Sequence, residues 1–389
     1  MVEPPLVSIV TPSYNSADFV EAAITSVLAQ DYPNIEHLII DGGSTDNTLE
    51  ILKRYNHQLT WISEPDQGQA DALNKGFRQA KGEIVGWLNA DDTYQPEAIS
   101  GAVRYLEENP EISLVYGRFN FIDEYGKITY THCPPPFSIE KLLYENIIPN
   151  ASMFFRRHVI QEIGFLNPQL HYVLDWEFVL RISLHYKVVQ IPAIWGNFRI
   201  TSGTKSVEKS DCFWPEFILV LQTLSGSLSG QLEADRIKAL FRAHFLAAVE
   251  FARTSRTEEA KDYLAQAFAE YTPAVTEASE LAFIAVQTAT WPWHLAFKEY
   301  PQAQQTINRF AGCLGNSPLE QTLNTYLELY QGLAQLRKQN WKQAKVSLHK
   351  RWPALSPKNI LHSYTLKMLL YLLLGSSLIS KLRTLKKCR

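Results

Sequence analysis

Four clusters of acidic and turn-forming residues carry the chemistry in this 389-residue sequence. They are TPSYN (11–15), DGGSTD (41–46), SEPDQG (63–68) and NADD (89–92), each following a short apolar run. Neither a GxxxxGK[ST] nor a GxGxxG pattern occurs, so no glycine cradle for phosphates is indicated. An acidic rim repels a diphosphate unless a divalent cation stands between them. Paired oxygen ligands such as Asp91 and Asp92 suit Mg²⁺ or Mn²⁺.

These clusters need a scaffold that brings them together. Residues 6–11, 35–41, 59–63 and 83–89 read as strands. Residues 17–30, 48–55 and 68–80 read as the helices between them. Strand–helix alternation at this spacing predicts an α/β fold with a doubly wound, mostly parallel sheet. In such a sheet ligands bind outside the carboxyl ends of the strands, where all four clusters fall. Residues 112–131 change to short aromatic and β-branched runs broken by DEYGK, a hairpin signal. A strand at SMFFRR, helices at 158–163 and 176–186 and a strand from 188 to about 199 complete this part. Past Phe213 only helical patterns remain. The chain therefore divides into a catalytic domain, 1–212, and an all-α C-terminal domain, 213–389. Residues 241–271 and 328–359 each read as helix, turn, helix. They resemble degenerate tetratricopeptide units or, equally, plain helical hairpins.

At 46% hydrophobic and 20% charged residues, the chain is neither disordered nor fibrous. Cys133, Cys212, Cys313 and Cys388 form no CxxC pair, which argues against a zinc site or a disulfide scaffold. No run of 18 apolar residues and no signal-peptide pattern occurs, so a cytoplasmic location is expected.

The motifs VSIVTPSYN, IIDGGSTDNT, SEPDQGQADALNKG, GWLNADD and LDWEFVLRI occur in this order. Together they resemble the inverting family 2 glycosyltransferases of the A-type nucleotide-sugar-binding fold, over residues from about 6 to 205. The resemblance implies a nucleotide-diphosphate sugar donor and metal-assisted transfer with inversion. It places Thr11 and Tyr14 at the nucleoside. Asp41 matches the carboxylate that accepts a uracil-like imide N–H, which favours a UDP- or dTDP-sugar; the alternative is that Asp41 only caps its turn. Asp66 would help frame the nucleotide, with Asn74 and Lys75 as further candidates for that wall. Asp91 corresponds to the metal ligand and Asp92 to a second or supporting ligand, with Asn89 where many members have Asp. Asp175 corresponds to the general base and Glu177 is the fallback. A sugar hydroxyl is barely acidic, so a carboxylate must take its proton as it attacks. The segment FRITSGTKS matches one that often reads RxH, yet Thr201 stands at the histidine, which leaves the third metal ligand open. Trp87, Trp176 and Trp195 are either sugar-stacking platforms or core, and His171 has no matched role.

Charge is unevenly distributed. No Asp or Glu follows Glu328, while 13 Lys and Arg do, leaving 24 basic against 40 acidic residues up to and including it. The tail 366–389 joins an aliphatic run (369–374) to five basic residues (381–389). That pattern predicts peripheral binding to an anionic membrane at its inner face and disfavours nucleic acid. A saccharide or lipid-linked acceptor follows. Two competing readings are a nucleotidyltransferase and a degenerate transferase acting as a scaffold through its helical domain.

Overall fold

The computed structural model describes residues 3–201, 203–205, 209–274, 277–289, 300–325 and 327. The second helix–turn–helix candidate (328–359) and the basic tail (366–389) lie outside the described residues. The chain forms two compact units, Met1–Glu208 and Lys209–Arg389.

The first unit is built on a nine-stranded sheet in the order β3-β2-β1-β4-β8-β6-β9-β5, with β7 paired to β6. Its parallel part comprises β1 (Val7–Ser13), β2 (Ile35–Asp41), β3 (Thr60–Ser63) and β4 (Ile84–Trp87). Strands β1, β2 and β3 end in register, with Ser13 opposite Asp41 and Asp41 opposite Ser63. The polar clusters therefore start from one rim. Beyond β4 the sheet is mixed. Strand β8 (Met153–Arg156) runs antiparallel to both β4 and β6 (Ile112–Ile122), and β9 (Lys187–Arg199) lies parallel to β6. Short β5 (Thr93–Tyr94) closes the edge antiparallel to β9. The DEYGK stretch is the turn of a hairpin between β6 and β7 (Ile128–His132), with Gly126 at φ +82°.

Alternation along the strands sends side chains to two helical layers. On one face, Val7, Ile9, Ile84 and Ile112 pack with Ala23 and Val27 of α1 (Val20–Leu28) and with Ile99, Val103 and Leu106 of α4 (Ala98–Glu108). On the other, Phe77 of α3 (Gln69–Gln79) meets Trp87, Phe155 and Phe178 of α7 (Leu174–His185). Gly76 lets α3 come this close, since a Cβ there would lie 2.4 Å from Val10 Cγ1. Helices α2 (Thr48–Arg54), α5 (Ile139–Tyr144) and α6 (His158–Ile163) complete the unit.

The described residues of the second unit are helical or connecting. They form α8 (Ser210–Thr223), α9 (Gly230–Arg253), α10 (Thr257–Glu270), α11 (Ala278–Ala289) and α12 (Tyr300–Cys313). Phe245, Val249, Leu264, Ala285, Phe310 and Leu323 share one core. Helices α9 and α10 are the helix–turn–helix expected at 241–271. Ser255, at φ +66°, makes the reversal.

Candidate active site

The loops after the four parallel strands are tied to one another by side chains. Asn15, at φ +47°, accepts the Thr45 N–H through Oδ1 at 2.9 Å, and its own N–H donates to Ser44 Oγ at 2.7 Å. Gln69, at the start of α3, donates to Asn89 Oδ1 at 2.9 Å, joining the third loop to the fourth. Gly68 sits against His171, so the segment before α7 borders the same rim.

Asp41 is fully buried. Its carboxylate accepts from the Gly43 N–H (3.1 Å), the Ser44 N–H (2.9 Å), Ser44 Oγ and Ser63 Oγ (2.7 Å). Three of these donors fall on Oδ2 and one, Ser44 Oγ, on Oδ1. The side chain organises the turn that follows β2. Asp66 is placed differently. Its Oδ1 accepts the Gly68 N–H at 2.8 Å, while Oδ2 lies over the Gly42 turn, 2.5 Å from where a Cβ on Gly42 would stand.

Thr11 does not reach the rim with its side chain. It is buried, and its hydroxyl meets His37 Nε2 at 2.9 Å. Tyr14 does reach it, with 63% of its surface exposed. Asn74 is also spent elsewhere, bridging the N–H and C=O of Leu166 at 3.0 and 2.9 Å. Lys75 is engaged by Glu64 at 2.9 Å and Asp71 at 3.5 Å.

In the NADD loop the two aspartates differ. Asp92 is buried; its Oδ1 accepts the Arg199 N–H at 2.9 Å and its Oδ2 the Asn89 amide at 3.3 Å. Asp91 contributes its main-chain carbonyl to Arg199 Nε at 2.8 Å, so its contact with Arg199 does not use the carboxylate. Burial raises both carboxyl pKa values, that of Asp92 well above the ordinary range with the Asp91 charge adding to it, while Arg199 pulls both down. Such a pair favours a cation beside it. The oxygen donors suit Mg²⁺ or Mn²⁺, completed by oxygens of a bound diphosphate or water. Among the described residues no three His, Cys, Asp or Glu side chains cluster to hold a metal. Thr201 is bonded locally. Its N–H donates to Thr204 Oγ1 at 2.8 Å, and the two hydroxyls lie 3.4 Å apart.

Arg199, in the FRITSGTKS segment, is the hub of this loop. Besides the Asp91 carbonyl, its guanidinium donates to the carbonyls of Asp123 (2.9 Å) and Glu124 (3.1 Å) in the β6–β7 turn. It also stacks on Phe19 at 4.8 Å. Six residues on, Lys205 donates to the His171 carbonyl at 2.7 Å and lies near the Tyr172 ring. The segment leaving β9 thus begins at the acidic loop and arrives at the start of α7.

There Asp175 occupies the first helical turn. Its Oδ1 accepts the Trp176 N–H at 2.8 Å and its Oδ2 the Asn146 amide at 3.0 Å. Burial raises its pKa above the ordinary value, opposed by those hydrogen bonds and by the Lys205 charge. Glu177 is committed to Arg181, with oxygens 2.6 and 3.1 Å from its guanidinium nitrogens. Trp87, Trp176 and Trp195 are all buried, so the sugar-stacking alternative fails for each. The Trp176 indole donates to the Leu142 carbonyl at 2.7 Å.

Residues 8–164 match the model of "Glycosyl transferase family 2". A glycosyltransferase of Mycobacterium tuberculosis (strain CDC 1551 / Oshkosh), itself uncharacterized, is 32% identical over 217 residues, which covers 55% of this chain and 82% of that protein. The chain belongs to glycosyltransferase family 2. Within the family, the PGL/p-HBAD biosynthesis glycosyltransferase of Mycobacterium bovis (strain BCG / Pasteur 1173P2) is 30% identical over 182 residues, 46% of this glycosyltransferase and 69% of that one. Against a longer relative from Rickettsia felis, 31% identical, the match spans 38% of the relative's length. Among solved structures, S. aureus TarS 1–349 in complex with UDP-GlcNAc superposes with a TM-score of 0.55 at 17% identity, covering 84% of this glycosyltransferase and 91% of that chain. The mannosyltransferase PcManGT from Pyrobaculum calidifontis, in complex with GDP-Man and Mn²⁺, gives 0.50 at 19% identity, with 79% and 88% covered. At these identities the likeness is one of fold. It is the A-type glycosyltransferase fold, followed here by helices.

Proposed function

We propose that this glycosyltransferase moves a sugar from a nucleotide-diphosphate donor to a hydroxyl acceptor with inversion, using Asp175 as general base. The observation that carries the reading is the segment from Arg199 to Lys205. One end braces the loop of Asp91, and the other lies beside Asp175. A donor diphosphate and an attacking hydroxyl are thereby given separate carboxylates at one rim.

Asp91 would hold a divalent cation, which when bound neutralises the departing diphosphate. Asp66 and Tyr14 would frame the nucleotide. Because Asp41 is buried in its own turn, Asp66 Oδ2 beside it would accept the imide N–H of uracil or thymine, which favours UDP- or dTDP-sugars. Asp175, kept in place by the Trp176 N–H and Asn146, would take the acceptor proton as the hydroxyl attacks the anomeric carbon from the face opposite the diphosphate. Inversion follows from that single displacement. The burial that raises the Asp175 pKa makes it a stronger base than an exposed carboxylate.

The test is nucleotide release from a panel of UDP-, dTDP- and GDP-sugars with Mn²⁺, Mg²⁺ or excess chelator. Release from uracil or thymine donors that chelator abolishes supports the reading. Full release in chelator would overturn the metal-assisted step, and no binding of any nucleotide sugar would favour the scaffold alternative.

For the acceptor we propose a saccharide or lipid-linked hydroxyl beside an anionic membrane. The support is the sequence of the tail, an aliphatic run followed by clustered cations, each contributing about 1 kcal/mol near an anionic leaflet. Among the described residues no helix is long and apolar enough to cross a membrane. Full-length protein should co-sediment with phosphatidylserine vesicles at low salt and lose that binding when residues 369–389 are removed. Equal sedimentation of both forms would refute the anchoring.

A further inference from the structure

Asn146 belongs to none of the motifs and lies in the short segment between α5 and the 3-10 turn Asn150–Ser152. Its side chain is exposed, yet both ends of the amide are engaged. Oδ1 accepts the Ile148 N–H at 3.1 Å, and Nδ2 donates to Asp175 Oδ2 at 3.0 Å. Flipping the amide would set an oxygen against a carboxylate and an NH₂ against an N–H, so the backbone of Ile148 dictates which end faces Asp175. The distance between the two residues is held as well. The Trp176 indole, one residue from Asp175, anchors the first turn of α7 to α5 through the Leu142 carbonyl. Leu143, Ile147 and Ile148 are buried on either side of Asn146.

We propose that Asn146 is a positioning residue for the general base, fixing the Asp175 carboxylate in one orientation by a hydrogen bond that its deprotonated form alone rewards fully. The inference rests on the assignment of Asp175 made above. A carboxylate carrying two donors keeps a defined pair of lone pairs for the acceptor hydroxyl. Among the described residues, Lys205 of the segment after β9 is a charged group acting on Asp175. Of its other titratable neighbours in sequence, Glu177 is paired with Arg181, Glu145 precedes Asn146 and His171 precedes the helix.

Two substitutions separate positioning from a general structural role. Asn146→Asp keeps the shape and the bond from Ile148 but sets a second carboxylate against Asp175, which opposes ionisation. Asn146→Ala removes the donor. Nucleotide release from the fastest UDP- or dTDP-sugar, measured with Mn²⁺ across pH, should show the acid limb of kcat/KM at higher pH for both variants. Each unit of displacement is about a tenfold loss at a fixed pH on that limb. Asn146→Ala should in addition lose about tenfold in kcat with KM for the donor unchanged. The carboxyl-carbon NMR titration of Asp175, identified by its absence in Asp175→Asn, should move the same way without any substrate. Acid limbs and titrations that coincide with wild type would overturn the proposal. If Asp175→Asn itself keeps full turnover, the base assignment fails, and the NMR titration still decides whether Asn146 holds that carboxylate.

Discussion

The main-chain N–H of Arg199 donates to Asp92 Oδ1 at 2.9 Å, binding the last residue of β9 to the buried member of the acidic pair. Asp92 also takes the Asn89 amide, so both of its oxygens serve the loop itself. The two adjacent aspartates of the motif therefore divide the labour. Asp92 builds the loop, whereas Asp91, the proposed metal ligand, meets Arg199 through its main-chain carbonyl.

This division separates two variants that a motif alone would treat as equivalent. Asp91→Ala should abolish most transfer and weaken Mn²⁺-dependent nucleotide binding while leaving the melting temperature nearly unchanged. Asp92→Ala should strand the Arg199 N–H in the interior and cost about 1–3 kcal/mol of stability. Asp92→Asn, which can still accept from that N–H, should recover most of it. Thermal melts and Mn²⁺ titrations of activity check each outcome. Loss of metal dependence in Asp92→Asn with a wild-type melt would reverse the assignment.

The carboxylates of the first turn of α7 divide in a similar way. Asp175→Asn should lower kcat by about 10²–10⁴ while calorimetry still shows nucleoside diphosphate binding. Glu177→Gln breaks its pair with Arg181, whose guanidinium also holds the carbonyls of Ile163 and Phe165. It should reduce stability and spare turnover. Because a base works only when deprotonated and burial raises the Asp175 pKa, activity should rise with pH through a midpoint above the usual aspartate range. A midpoint at or below that range would count against Asp175.

The parallel part of the sheet was legible because hydrophobic runs and turn clusters alternate there at regular spacing, and each of the four clusters begins at the rim formed by β1 to β4. Less of the remainder could be read. Helix α4 went unassigned, since Glu97, in a left-handed conformation before Ala98, is not a residue that announces a helix start. Strands β8 and β9 join the sheet through pairings far apart in sequence, and local patterning carries no signal of direction across such distances. In the site, the motifs gave residue types but not their partners. Thr11 turned out to face His37, and Trp176 faces Leu142. Arg199 was readable only as part of a matched segment, although a buried arginine ending a strand demands several acceptors and so marks a junction. Asn146 belongs to no motif, and only the fold brings it to Asp175.

Close packing around β9 gives a further expectation. Gly196 lies where the 3-10 turn Asn150–Ser152 crosses the strand, and a Cβ there would fall 2.0 Å from the Ala151 carbonyl oxygen. The obstacle is backbone, so no rotamer relieves it. Gly196→Ala should cost about 1–3 kcal/mol or more and lower the melting temperature. Gly101→Ala, whose Cβ would meet only the Trp195 ring at 3.2 Å, should cost less. Equal melts for the two variants would contradict this packing.

The last expectation concerns acid. His37 on β2 is buried, Nε2 meets Thr11 Oγ1 at 2.9 Å and Nδ1 is without a partner among the described residues. Burial lowers its pKa from 6.5 to about 3, so the ring stays neutral in the folded protein where the unfolded chain would protonate it. Below pH 6.5 the unfolded state binds the additional proton, and stability falls as the pH falls towards about 3. The loss from this residue reaches about 2 kcal/mol at pH 5. His244 in the helical unit, lowered to about 4 by burial, acts with the same sign. Urea unfolding of wild type between pH 7.5 and 5 should show midpoints that decline with acid. In His37→Gln, whose amide can still meet Thr11, stability at pH 7.5 should be lower but the decline shallower. Parallel declines in the two proteins would show that His37 is not the residue that titrates.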